Sequence, residues 1–162
     1  MFRFFTVYGV HTRKIAQCHK LVSVTPPAAI YDNASLTTAS IDTRGYKYCR
    51  IVVYLGATDI AMAALKVQES DTDGSYADVT GLVFGTSTNV AGSTSTLPSA
   101  NDDNKFFVFE IDLRNRKRYL DLVATAGDGA AGTYAAAWAE LYEGEDLPDS
   151  TADEGASQIL RV

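Results

Sequence analysis

Ile111-Asp112-Leu113-Arg114-Asn115-Arg116-Lys117-Arg118-Tyr119-Leu120-Asp121-Leu122-Val123-Ala124-Thr125-Ala126-Gly127 reads as a strand, a tight basic turn and a second strand. Tyr119, Asp121 and Val123 alternate with Leu120, Leu122 and Ala124, which places two unlike faces on the two-residue period of a β-strand. Four of the five residues from 114 to 118 are cationic, and they fall in the connector.

The same period recurs along the chain. Segments 2–7, 20–25, 35–42, 46–55, 64–69, 105–113, 118–125 and 133–142 alternate or are rich in β-branched and aromatic residues. Turn formers separate them: Pro26-Pro27, Arg44-Gly45, Asp73-Gly74, Gly92-Ser93, Pro98 and Gly127-Asp128-Gly129. Short strands at this spacing predict an all-β chain, an antiparallel β-sandwich or barrel that buries one face of each strand. On 46–55 the face carrying Cys49, Ile51, Val53 and Leu55 is the more apolar and is assigned to the core. No amphipathic helix stands out; Asp59-Ile60-Ala61-Met62-Ala63-Ala64-Leu65 reads equally as one helical turn or as strand.

With 162 residues and 46% hydrophobic composition the chain is long enough for one well-packed domain. The domain is expected over 1–142, with 1–40 partly an N-terminal arm, and an extended acidic tail over 143–162. The stretch 85–104 is small and polar and reads as a long loop or arm ordered by contact with something else, or equally as a mobile surface loop. The tail ends in Gln158-Ile159-Leu160-Arg161-Val162, an apolar patch suited to a neighbour's sheet edge or groove. Cys18 and Cys49 read as buried free thiols, with a bridge between them as the alternative. Met1-Phe2-Arg3-Phe4-Phe5 is apolar but has neither the core nor the cleavage site of a signal peptide, and no run approaches a membrane span.

The net charge of −6 hides a polarity. Residues 1–50 hold seven cations against two acids, +5, and the remainder seven against eighteen, −11. Such asymmetry favours self-association or docking on a charged partner. With an acidic balance and no basic helix or RNP-like aromatic motif, the chain is not expected to bind nucleic acid.

Catalytic and metal-binding patterns are not expected either. His11 and His19 lie in no metal-ligand spacing, and no G-x-S-x-G motif accompanies them. Cys18 and His19, as strand neighbours, point to opposite faces. Asp71-Thr72-Asp73-Gly74-Ser75 begins like a calcium loop, but the bidentate position falls on Leu82, and a turn with Gly74 explains it without metal. Asp102-Asp103 and Glu145-Asp146 sit in polar segments unsuited to a glycosidase pair. Gly127-Asp128-Gly129-Ala130-Ala131-Gly132 lacks the Lys-Ser/Thr ending of a phosphate loop and reads as a wide hairpin loop. No enzyme and no cofactor is expected.

Binding residues are therefore sought on the surface. Arg114, Arg116, Lys117 and Arg118, fanning from their turn, are the leading patch for acidic groups of a partner; alternatively they pair with Asp112 and Asp121. Arg13 and Lys14 in the basic N-terminal segment, and Ile159 and Leu160 at the other end, complete the candidate set. Tyr119, Tyr134, Trp138 and Tyr142 are expected mainly as packing residues. Since Tyr134, Trp138 and Tyr142 share one parity, a carbohydrate-binding platform remains the alternative.

Three stretches carry a resemblance: Ile41-Asp42-Thr43-Arg44-Gly45-Tyr46; Val52-Val53-Tyr54-Leu55-Gly56; and Leu65-Lys66-Val67-Gln68-Glu69-Ser70-Asp71-Thr72-Asp73-Gly74-Ser75-Tyr76. With the basic run 116–120 and the alanine-rich 134–141, this order resembles a group of small structural proteins of tailed bacteriophages. The resemblance spans roughly residues 40–142 and consists of turn and strand patterns. It implies a jelly-roll-like β-sandwich of the virion, acting as a cement or decoration protein. Its implied partner is the major capsid protein, gripped at the capsid surface by a homotrimer at local threefold points, with no membrane involved. A tail, baseplate or head-fibre component would share these features.

Overall fold

The computed structural model describes residues 19–144 and 152–159. The expected strand at 2–7 and the candidates Arg13, Lys14 and Leu160 lie outside them, as do His11 and Cys18.

Nine strands form in chain order: β1 (His19–Thr25), β2 (Ile30–Tyr31), β3 (Ile41–Asp42), β4 (Tyr48–Thr58), β5 (Ala64–Ser70), β6 (Ala77–Val83), β7 (Phe106–Asp112), β8 (Tyr119–Thr125) and β9 (Thr133–Tyr142). They make two antiparallel sheets, β1-β9-β4-β7 and β3-β8-β5-β6, with β2 also pairing with β9. The described residues contain no helix. Asp59-Ile60 bends, buried Met62 donates its backbone N–H to the Pro98 carbonyl at 2.8 Å, and β5 starts at Ala64.

The core lies between the sheets and follows the alternation. Cys49, Ile51, Val53 and Leu55 of β4 point inward, as do Leu65 and Val67 of β5 and Leu120, Leu122 and Ala124 of β8. On β9 the inward positions are Ala135, Ala137, Ala139 and Leu141. Three small side chains there leave room for the leucines of the facing sheet, the large-against-small matching that close packing requires.

Most connections cross from one sheet to the other; only β5 and β6 are a hairpin, turning through Gly74 at φ 111°. The basic turn therefore bridges the sheets, and the loop 126–132, expected as a hairpin loop, is likewise a crossover. Asn33 N–H donates to the Gly127 carbonyl at 3.0 Å, and Ala131 N–H to Asp59 Oδ2 at 2.5 Å, fixing that crossover. Gly132, at φ 74°, is required because a Cβ would collide with the Tyr31 carbonyl.

Three expectations change. Among the described residues, 19–42 are not an arm: β1 and β2 form one sheet edge, interrupted at Pro26-Pro27, where the ring nitrogens cannot serve the ladder. Residues 34–36 then run beside β8, with Leu36 N–H donating to the Ala124 carbonyl at 2.8 Å. The tail is not wholly extended either. Residues 152–155 form a turn whose Glu154 carbonyl accepts from Leu21 N–H at 2.8 Å. The loop between β6 and β7 is ordered by its own polar groups: Ser95 N–H and Oγ–H both donate to the Ser87 carbonyl, at 2.8 and 2.7 Å. Its short side chains supply the bonds that a partner was expected to supply.

These contrasts set a stability prediction. Leu122→Ala, at a site sealed from solvent, should cost about 3 kcal/mol. That corresponds to a fall in Tm of about 6–12 °C for a chain of this length. Val90→Ala, at the fully exposed loop tip, should change stability by less than about 0.5 kcal/mol. Denaturant unfolding of both variants checks the ordering.

Candidate functional site

The basic turn is stapled to acids of its own chain. Arg114 pairs with Asp112, Arg118 with Asp42 at 2.6 Å, Arg116 with Glu69 at 3.5 Å and Lys117 with Asp71 at 4.0 Å. Hydrogen bonding to the Arg114 side chain, then to its backbone N–H, holds the Asp112 carboxyl at about 2. The Arg118 guanidinium does the same, in direction, for Asp42. Arg118 also lies 4.7 Å above the Tyr119 ring. Asp121, the expected partner of the turn, instead accepts from Thr38 Oγ1 at 3.2 Å, and burial pushes its carboxyl up. Four cations facing four acids leave little net field, and such exposed pairs are individually weak. The structure thus places the four candidates together without leaving them unopposed.

Ile159 is half-buried and outside any strand. Cys49 is a buried thiol pushed up to about 12 by burial and, secondarily, by Glu140, so it stays protonated and unreactive. Asp73, of the calcium-like stretch, accepts from Ser40 Oγ at 3.2 Å and from the Tyr76 hydroxyl at 2.5 Å. Among the described residues no three His, Cys, Asp or Glu side chains gather as metal ligands would. Among the described residues there is no helix long and apolar enough to cross a membrane.

The outward face of the five-stranded sheet is the feature that sequence reasoning underrated. Register sets its cross-strand rows: His19, Tyr142, Tyr48 and Asp112; Leu21, Glu140, Arg50 and Glu110; Ser23, Trp138, Val52 and Val108; then Ala136, Tyr54 and Phe106. Ile30 pairs with Tyr134 beyond them. Phe106 is 59% exposed, Tyr134 52% and Ile30 44%. Tyr54 stacks on Phe106 with ring centroids 4.6 Å apart, and Phe106 meets Trp138 edge-on at 6.4 Å.

A charged row crosses this face. Arg50 lies 3.8 Å from Glu110, and Glu140 accepts from Trp138 Nε1 at 3.1 Å and from the Tyr142 hydroxyl. Burial pushes the Glu140 carboxyl up, but those two hydrogen bonds and Arg50 outweigh it and hold the group below its usual value. Tyr134, Trp138 and Tyr142 are therefore not packed between the sheets as expected; their shared parity turns all three outward. Phe106, Tyr54 and Tyr48 join them because β7 and β4 lie in that sheet. The parity of 46–55 carried that signal for Tyr48 and Tyr54; Phe106 needed the strand order.

Beside β7 a cleft of about 430 Å³ opens toward the loop after β6, lined by Val83, Phe84, Asn89, Val90, Val108 and Glu110 among others. No known protein-family model matches this chain, and no curated protein is significantly similar to it.

The lowered carboxyls give a pH prediction. Asp42 and Asp112 titrate below their unfolded value of 3.8, so each stabilises the fold above it and ceases to do so as pH falls through its lowered folded value, about 2 for Asp112. Tm should drop between pH 4 and pH 2, and Asp42→Asn with Asp112→Asn should shallow that drop. An unchanged slope in calorimetric scans would show that the two pairs contribute nothing.

Proposed function

We propose that this chain is a non-enzymatic structural protein of a tailed-phage virion, a cement or decoration protein that bridges major capsid subunits on the outer capsid surface. The observation that carries the binding part is the outward aromatic face. Of the eight large apolar side chains exposed among the described residues, Leu21, Ile30, Tyr48, Tyr54, Phe106 and Tyr134 are on it. An exposed apolar patch rimmed by polar groups marks an interaction surface, and aromatic anchors dominate the energy of such surfaces.

The strand order supports a jelly-roll reading: β1-β9-β4-β7 facing β3-β8-β5-β6, with crossings between sheets at most connections, is the two-sheet arrangement frequent among viral capsid and lectin domains. Fold alone names no function. The viral part rests on the phage-like motif order, in which 116–120 is the turn into β8 and 134–141 lies in β9. A homotrimer would present three such faces, and linked weak contacts gain by effective concentration. In this reading the turn 114–118 contributes little, its cations being paired with acids of the same chain, and Arg13 and Lys14, outside the described residues, are the remaining basic candidates.

The aromatic platform also favours a second reading, carbohydrate binding. Tyr54 and Phe106 offer a stacked pair for sugar faces, and the neighbouring Arg50, Glu110 and Glu140 offer hydrogen bonds.

Phe106→Ala combined with Tyr134→Ala separates these ideas from a passive surface. Both side chains are over half exposed, so folding should be retained while co-sedimentation with protein-free capsid shells weakens about 10-fold or more, as loss of interface anchors does. Undiminished binding by the folded double variant would reject this face as the capsid contact. Retention of glycans by the wild type but not the variant, without capsid binding, would select the carbohydrate reading.

A further inference from the structure

Strand β7 ends its sheet with an edge that no other described strand pairs with. Of the other edges, β1 is met at one point, where Leu21 N–H donates to the Glu154 carbonyl, β3 is two residues long, and β6 is irregular at its pairing with β5. β7 instead pairs with β4 over seven consecutive residues without a break. Leu113 N–H donates to the Lys47 carbonyl at 2.9 Å and Leu55 N–H to the Lys105 carbonyl at 3.1 Å. In an antiparallel pair the bonding side alternates, so odd-numbered residues of β7 face β4, whereas Phe106, Val108, Glu110 and Asp112 aim their backbone N–H and C=O away from it. No described residue bonds those outward groups.

The cleft lies along this edge. Val108, Phe109 and Glu110 of β7 form one wall, and Phe84, Asn89 and Val90 of the loop after β6 stand opposite. The Phe84 ring meets Phe107 and Phe109 edge-on, at 5.4 and 5.0 Å, which makes the lining there aromatic. A row of backbone donors and acceptors beside an apolar cleft suits an extended peptide, whose main chain gives affinity and whose alternate side chains give specificity. Charge selects the peptide. The outward row Glu140, Arg50, Glu110 holds two acids to one cation, and the Glu110 side chain is 73% exposed. A cation in the next strand would complete the alternation of sign, whereas an acid there would be repelled.

We propose that the β7 edge and its cleft bind an extended segment of a partner protein, an antiparallel strand with a lysine or arginine opposite Glu110 and apolar residues opposite Phe109 and Val108. The residue opposite Phe109 enters the cleft beside Phe84. The one opposite Val108 continues the outward row of Trp138, Val52 and Val108. Two observations favour a partner's segment over the same edge of a second copy. The wall at Asn89 and Val90 leaves a slot for one strand, and a second β7 would bring its own wall with it. A second β7 also supplies no cation. Hydrogen-bonded pairing of two such edges sets Glu110 only against Phe106, Val108, Glu110 or Asp112 within the strand. The inference does not depend on what the aromatic face meets.

A labelled peptide tests it, reading from its N-terminus two threonines, arginine, phenylalanine, valine and two threonines. The full chain should bind it saturably in fluorescence anisotropy. Replacing its arginine by glutamate should weaken binding about 5-fold or more, as a like-charged cross-strand pair does. Glu110→Lys, at an exposed side chain that leaves the fold intact, should reverse that preference. Val108→Pro, which removes only an outward N–H, should abolish binding, and the charge reversal decides the matter even if the proline variant misfolds. No saturable binding at about 1 mM peptide overturns the proposal. So does a preference for the arginine peptide that Glu110→Lys leaves unchanged. Binding that appears only after deletion of 1–18 assigns the edge to the chain's own N-terminal residues. An oligomer that excess peptide dissociates in light scattering assigns it to a second copy, and either result overturns the proposal.

Discussion

The seam between the sheets is the constraint from which the rest follows. β4 and β9 are adjacent and central to their sheet; β9 alternates throughout and β4 alternates from Tyr48 to Leu55 except at buried Val52, and they bury Ile51, Val53, Leu55 and the alanines of β9 against the leucines of β5 and β8. A two-residue period leaves no freedom after that. If Ala135, Ala137 and Ala139 face the core, Tyr134, Trp138 and Tyr142 must face out, and a one-residue slip would exchange the two sets. The aromatic platform is thus fixed by the same register that closes the core. Its side chains remain at the surface because no layer of the described chain covers them.

That coupling explains what was legible beforehand. Seven of the expected strands fall within the described residues, and six of these were located from alternation, β-branched and aromatic content and the turn formers between them. Only 35–42 shrank, to Ile41-Asp42, because residues 34–36 bond to β8 without a continuous ladder. β6 escaped notice because Gly81, at φ 89° beside a bulge, breaks the apolar pattern of Ala77–Val83. The crossovers were invisible for a different reason. A tight turn between two strands looks alike in sequence whether the strands pair with each other or with strands far along the chain. Here Tyr119 pairs with Asp42 and Ser70, not with β7.

The basic turn shows the same limit in electrostatic form. Its partners Asp42, Glu69 and Asp71 are distant in sequence, and only the packing of β8 between β3 and β5 brings them to 114–118. Asp121, close in sequence, accepts from Thr38 instead. The lowered carboxyls of Asp42 and Asp112 register that pairing. A run of cations in a sequence reports a local charge density, whereas the field a partner meets is the sum after folding. On this molecule that sum shifts interest from the turn to the sheet face.

Edges are treated unequally, and the inequality argues for a role. A flat edge strand rich in apolar residues invites pairing with another chain, and proteins commonly cover, bulge or shorten such strands. Among the described residues β6 is bulged and β3 short, and β1 is met at one point, where Leu21 N–H donates to the Glu154 carbonyl. On β7 the apolar run Phe106-Phe107-Val108-Phe109 is followed by Glu110 and Asp112, and the acids give the edge a polarity that selects among strands without closing it. An edge of that kind discriminates by charge at one end and by shape at the other. A complementary segment must then be apolar and carry a cation at a defined place.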